Sequence, residues 1–181
     1  METFKLNWTV LQRKIFRFLC MNAGKNFNLS EIARNLKVSP TAVSKSFINL
    51  KKEEIIIINE KGAMNLLLIE LNLENQRVME LKRVENLSMI YESELISFLS
   101  ETIPGATIIL FGSYSRGDDD YSSDIDLAII GGKEKSIDLL KFEKILKKKI
   151  VLNFYNNLKD IEKNLKNNLL NGIVLNGALE L

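Results

Sequence analysis

The chain has 181 residues, 46% of them hydrophobic and 27% charged, a globular balance that excludes a disordered or fibrous protein and leaves room for two small domains. With one cysteine, Cys20, and no histidine, an internal disulfide is excluded, a zinc centre is disfavoured, and any catalysis must rest on carboxylates, hydroxyls, backbone amides and metal ions. The formal charge of +2 is uneven: residues 1–75 carry 11 Lys and Arg against 7 Asp and Glu, and residues 76–181 carry 14 against 16, a tilt that suits a basic module meeting nucleic acid and an acidic one holding cations.

The N-terminus has no cationic segment followed by a long apolar run, and no stretch approaches the roughly 20 apolar residues of a membrane span. A soluble, cytoplasmic protein without membrane contact is expected. From Thr9 to Asn22 the residues Val10, Leu11, Ile15, Phe16, Phe18 and Leu19 recur at helical spacing, with Gly24 as the stop. Asn28 to Leu36 reads as a short second helix capped by Asn28 or Ser30. Ser39-Pro40 opens a third helix that runs to about Lys52 and is predicted to bury Val43, Phe47, Ile48 and Leu50. Ile55–Ile58 and Leu66–Leu71 are β-type runs flanking a polar, glycine-containing turn, as in a hairpin.

That order of elements over residues 7–72 resembles the winged helix-turn-helix family of DNA-binding domains. The resemblance implies a third helix in the major groove and a hairpin wing near the backbone. Its outward polar positions are Thr41, Ser44, Lys45 and Asn49, with Lys51, Lys52 and Lys61 available for phosphates. The same surface also suits a protein-packing module. Because phosphate contacts supply most nucleic-acid affinity, a moderately basic monomer should bind weakly, and a homodimer reading two half-sites is the expected DNA-binding form.

Residues 75–101 hold a helical pattern without Gly or Pro, its apolar positions including Val78, Leu81, Val84, Leu87, Met89 and Ile90, and are read as a linking helix. Ala106–Phe111 is a buried-strand run that stops at Gly112-Ser113-Tyr114-Ser115-Arg116-Gly117, and Asp124–Ile130 is a second strand. Residues i and i+2 of a strand share a face, so Asp124 and Asp126 project together while Ile125 enters the core. Two carboxylates on one face repel unless a cation joins them, and Mg²⁺ or Mn²⁺ favours such oxygen ligands. The Gly-Ser turn lets the backbone approach a phosphate, which its amides would attract.

Gly112-Ser113, ten residues, then Asp124-Ile125-Asp126 resembles the signature of minimal nucleotidyltransferases of the DNA polymerase-β superfamily, and Arg116-Gly117 and Ser123 strengthen the likeness. The resemblance implies that Gly112 and Ser113 bind a nucleoside triphosphate, with ATP the expected donor. It implies that Asp124 and Asp126 hold the metals and carry catalysis, and that Arg116 and Ser123 assist in nucleotide binding. The implied reaction transfers a nucleoside monophosphate to a hydroxyl on a protein, RNA or small molecule. By the same resemblance a protein acceptor, or a partner in a toxin-antitoxin pair, is expected. Asp118, Asp119 and Asp120 are read as solvated loop residues, and Tyr114 and Tyr121 as aromatics that either stack on a base or pack on their own domain. Lys147-Lys148-Lys149 is read as a solvated helix end.

The family's third carboxylate, on a following strand, aligns here with Asn153 in Lys149–Tyr155; an amide brings no charge and accepts no proton near neutral pH. Asp160 is the nearest alternative acid. The reading is an α+β chain: a winged helix-turn-helix over 1–73, a linking helix over 74–101 and a nucleotidyltransferase-like domain with a small mixed sheet and flanking helices over 102–181. Its function is metal-dependent nucleotidyl transfer beside DNA binding. The alternative is a DNA-binding transcriptional regulator whose transferase domain is weak or inactive and senses nucleotide.

Overall fold

The computed structural model describes residues 8–61 and 66–179. They form two compact units, divided between Val78 and Met79. In the first unit, helix α1 (Val10–Met21) starts at a reciprocal capping box: the Thr9 hydroxyl accepts from the Gln12 amide, and the Gln12 side chain accepts from the Thr9 amide. Helix α2 (Leu29–Leu36) repeats the device with Asn28 and Glu31. Helix α3 (Pro40–Lys52) has Ser39 as its cap and Pro40 in the first turn, both as expected from the sequence.

A third strand, β1 (Phe27–Asn28), joins the hairpin strands β2 (Ile56–Lys61) and β3 (Leu66–Leu71) in the order β1-β3-β2. It is only two residues long, too short to leave a periodic signal. The hairpin turn over 62–65 lies outside the described residues. Ile15, Leu19, Ile32, Val43, Leu50, Ile55 and Ile69 are buried in this unit, and the sole cysteine, Cys20, is buried with them. Three helices followed by a hairpin, with a small antiparallel sheet, are a winged helix-turn-helix.

The predicted linking helix is two helices. Helix α4 (Gln76–Glu92) ends before Glu94, whose φ of 64° breaks the chain direction, and α5 (Leu95–Thr102) follows. Everything from Met79 on belongs to the second unit. Val78, Met89 and Ile90 are buried as the apolar spacing predicts, but Val84 is 67% exposed, and the polar Lys82 and Asn86 are buried instead.

The second unit is built on a sheet of order β6-β5-β4-β7, comprising β4 (Thr107–Phe111), β5 (Ile125–Ile130), β6 (Ile150–Tyr155) and β7 (Ile173–Asn176). Strands β4 and β5 are antiparallel and in the centre, where a continuous apolar run is stable because both faces are covered. β7 is an antiparallel edge on β4, formed by a three-residue apolar run too short to be read from sequence. β5 and β6 are parallel, so the chain must cross over between them, and helix α7 (Leu140–Leu146) lies on that crossover. On one face Ile109 and Ala128 pack with Leu158 of a 3₁₀ turn (Leu158–Asp160), Leu169 of helix α8 (Lys163–Leu170), and Ile161 between the two. No helix among the described residues is long and apolar enough to cross a membrane.

Candidate functional site

Strand β4 ends at Phe111, which pairs with Asp126, and the chain turns at once into the single-turn helix α6 (Gly112–Arg116). Gly112 therefore sits beside the Asp126 carboxylate. A Cβ at position 112 would lie 2.8 Å from Asp126 Oδ2, so glycine is required for the turn and the carboxylate to approach. Ser113 is half-buried in the first turn, and the Ser115 hydroxyl donates to the Gly112 carbonyl at 2.7 Å. Asp124 directly precedes β5 and Asp126 is its second residue, which gives them the shared face that alternation predicts.

Burial raises the Asp126 carboxyl above its ordinary 3.8, and the Asp124 charge raises it further. Half-buried carboxylates in mutual repulsion are a donor set that a hard divalent cation relieves, so these residues fit Mg²⁺ or Mn²⁺. Among the described residues no group of three or more Asp, Glu, Cys or His side chains gathers to hold an ion.

The parallel register corrects the position of the third acid. Asp126 faces Val151, and Asn153 faces Ala128 two pairs further along. Directly opposite residues share a face, so Val151, Asn153 and Tyr155 all line the Asp126 side of β6, where Tyr155 packs against the cluster of Leu158, Ile161 and Leu169. The residue beside the Asp pair is thus an apolar valine, and Asn153 is set back from it. The Asp160 side chain lies outside the described residues.

The loop between the motifs differs from its predicted solvated form. Asp118 is exposed and accepts from Arg116 Nε at 3.1 Å. Asp119 is completely buried, where it bonds Lys82 and lies 3.1 Å from Lys148 Nζ. Asp120 folds the loop onto itself. Its Oδ1 accepts from the amides of Ser122 and Ser123 and from both hydroxyls, at 2.7 to 3.0 Å. The Ser122 side chain above all, with its amide, lowers the Asp120 carboxyl to about 2. The Ser123 hydroxyl, a candidate nucleotide ligand, is part of this turn and also accepts from the Asp120 amide. Of the two tyrosines, Tyr114 is buried and Tyr121 is 48% exposed. Lys148 is buried between exposed Lys147 and Lys149, contrary to a solvated helix end.

Gly117 caps α6 with φ of 85°, and a Cβ there would lie 2.4 Å from the Met79 carbonyl oxygen. The helix-to-loop turn is therefore pressed against the backbone of α4. This contact is the structural reason for glycine in the Arg116-Gly117 pair.

In the first unit Thr41, Ser44, Lys45 and Asn49 are all exposed on α3, as are Lys51 and Lys52 at its end. Ile48, predicted to be buried, is 69% exposed in the middle of that face, and the buried place is taken by Ser46. Lys61 ends β2, and its side chain lies outside the described residues.

A winged helix followed by a nucleotidyltransferase fold is the class these features define. Residues 92–176, within the second unit, match the family model of the nucleotidyltransferase domain. No curated protein matches the chain. Among solved structures, a mutant of Lactococcus lactis ZitR is 18% identical with a TM-score of 0.41, covering 56% of this chain and 66% of its own. The adhesin competence repressor AdcR of Streptococcus pyogenes is 15% identical with a TM-score of 0.42, covering 53% and 68%. MepR, a transcription regulator of the Staphylococcus aureus multidrug efflux pump MepA, is 18% identical with a TM-score of 0.39, covering 52% and 66%.

Proposed function

We propose that this protein is a DNA-binding regulator whose nucleotidyltransferase domain holds a metal–nucleoside triphosphate complex and turns it over far more slowly than an enzyme with three carboxylates. The observation that carries this reading is the residue opposite Asp126, which is Val151. Nucleotidyl transfer uses two metal ions, one on the attacking and one on the leaving oxygen. Asp124 and Asp126 suffice for the ion that accompanies the triphosphate, which neutralises phosphate charge and orients it when bound. Gly112 and Ser113 would meet the phosphates through backbone amides and the Ser113 hydroxyl, with Arg116 and Ser123 at the rim. A second ion, needed to prepare a hydroxyl nucleophile, finds no third acid among the described residues.

The test is the stoichiometry of Mn²⁺ in the presence of a non-hydrolysable ATP analogue. The native chain should bind one ion. Val151→Asp sets a carboxylate opposite Asp126 and should bind two, with pyrophosphate release from ATP rising at least about tenfold. Two ions in the native chain, with release near the roughly 1–10 per second of ordinary enzymes, would instead support nucleoside monophosphate transfer to a hydroxyl acceptor.

The regulator half of the proposal rests on the winged-helix fold and the exposed polar face of α3. Replacing Lys45 and Asn49 by Ala should weaken binding to a selected duplex by about 1–3 kcal/mol for a base contact, and lower the salt dependence by about one phosphate for the lysine. Unchanged affinity across a salt series would remove α3 as the reading helix. A sensor also requires that nucleotide favour one DNA-binding state over another, so DNA affinity should differ with and without Mg–ATP.

A further inference from the structure

Four polar side chains are sealed beneath the turn that bears the Gly-Ser and Asp motifs, and the proposed function uses none of them. Lys82, Asn86, Asp119 and Lys148 are each more than nine-tenths buried. Asp119 Oδ1 accepts from Lys82 Nζ and from Asn86 Nδ2, the latter at 2.7 Å, and Asn86 also donates to the Tyr114 carbonyl in α6 at 3.0 Å. Lys148 Nζ lies 3.1 Å from Asp119 Oδ2 and donates to the carbonyls of Asp120 and, at 3.3 Å, Ser123. Lys148 Nζ thus makes two hydrogen bonds to backbone carbonyls and an ion pair with Asp119 Oδ2, an oxygen that itself accepts no hydrogen bond.

Those acceptors bracket the loop that delivers Asp124. The carbonyls of Asp120 and Ser123 mark the two ends of the turn that the Asp120 carboxylate closes from the solvent side. Burying two cations with one carboxylate is a poor way to gain stability, since desolvation offsets the attraction, but the two carbonyls and the carboxylate together restrict where the Lys148 ammonium can sit. We infer that Lys148 is a positioning residue of the nucleotide site, anchored by Asp119, and that it holds the 118–123 loop so that Asp124 faces Asp126 and the Gly112–Ser113 turn. The inference presupposes the nucleotide site proposed above.

Two variants of the full chain separate positioning from mere packing. Lys148→Met and Lys82→Met each remove one buried cation and leave Asp119 with the other, so both retain a balanced pair. Only Lys148→Met cuts the ties to the Asp120 and Ser123 carbonyls. Calorimetric titration with the Mg²⁺ complexes of ATP, GTP, CTP and UTP should show affinity falling tenfold to a hundredfold in Lys148→Met, the range for groups that orient a ligand from behind. Affinity in Lys82→Met should stay within a few-fold of the native value. Amide exchange over residues 118–123 should accelerate in Lys148→Met alone. If Lys148→Met fails to fold, Lys148→Gln, polar but too short to span both carbonyls, takes its place. Native affinity in the Lys148 variant, or equal losses in both, would overturn the inference and leave the site intact. A native chain that binds none of the four nucleotides would overturn the site and the inference with it.

Discussion

Replacing Asp124 and Asp126 together by Ala is expected to abolish metal-dependent nucleotide binding, with affinity for Mg–ATP falling at least about a hundredfold, or about 2.7 kcal/mol. Both carboxylates lie at the start of β5, one flanking Gly112, and no other acidic cluster among the described residues replaces them. The fold should survive, because neither side chain is part of the apolar core. The metal-free variant should even be slightly more stable near neutral pH. Asp126 is held above 3.8 by burial and by Asp124, so its ionised form opposes folding above that raised value, and deletion removes the opposition. The same shift gives a pH dependence. Protons compete with the cation at a higher pH than for an ordinary aspartate, so metal binding by the native chain should weaken as the pH falls towards the raised value. Calorimetry and thermal melts on both proteins check these outcomes; undiminished Mg–ATP binding by the double variant would remove the site assignment.

Gly117→Ala is expected to destabilise the second unit by about 2–5 kcal/mol, combining about 1–2 for a left-handed non-glycine residue with about 1–3 for overpacking. The added methyl would lie 2.4 Å from the Met79 carbonyl oxygen and 2.9 Å from the Arg83 amide nitrogen, both in α4, where a backbone has no rotamer with which to yield. Gly105 is the natural control: its φ is 80°, yet a Cβ there meets nothing within 4 Å. Gly105→Ala should cost only the conformational part. Chemical denaturation followed by circular dichroism measures both, and fluorescence of Trp8, in the first unit, reports that unit separately. Equal losses in the two variants would mean that α4 does not press on the turn. Because a domain is stable by only about 5–15 kcal/mol in total, the larger loss would also reduce nucleotide binding at 37 °C through unfolding.

Much of this protein is written locally. Thr9, Asn28 and Ser39 each announce a helix through a hydrogen bond to an amide three residues on, and caps act within one turn. The Asp124–Asp126 pair is equally legible, since strand alternation alone puts both on one face. The Gly112-Ser113 turn belongs with them, because its glycine and the spacing to the Asp pair are visible without any partner. The apolar runs of β4 and β5 mark central strands because a strand covered on both faces must be apolar throughout.

Other features depend on which distant segments meet, and no local pattern records that. Lys82 and Asn86 occupy the buried stripe of α4 only because Asp119, more than thirty residues later, arrives there to pair with them; apolar periodicity therefore passes over both and includes the exposed Val84. Asp119 sits in a run of three aspartates that looks solvated, yet Asp118 faces water, Asp119 is sealed and Asp120 ties the turn. The third position of the site was decided by the register of two parallel strands, which puts Val151 rather than Asn153 opposite Asp126. A parallel pair is joined by a long crossover whose length does not set the register. The sequence by itself determined most of the longer elements, the Ser39-Pro40 helix start and the two motifs, because those depend on neighbours within a few residues. The tertiary structure alone decided which charges are buried and what stands beside the Asp pair, because those depend on contacts between segments far apart in the chain.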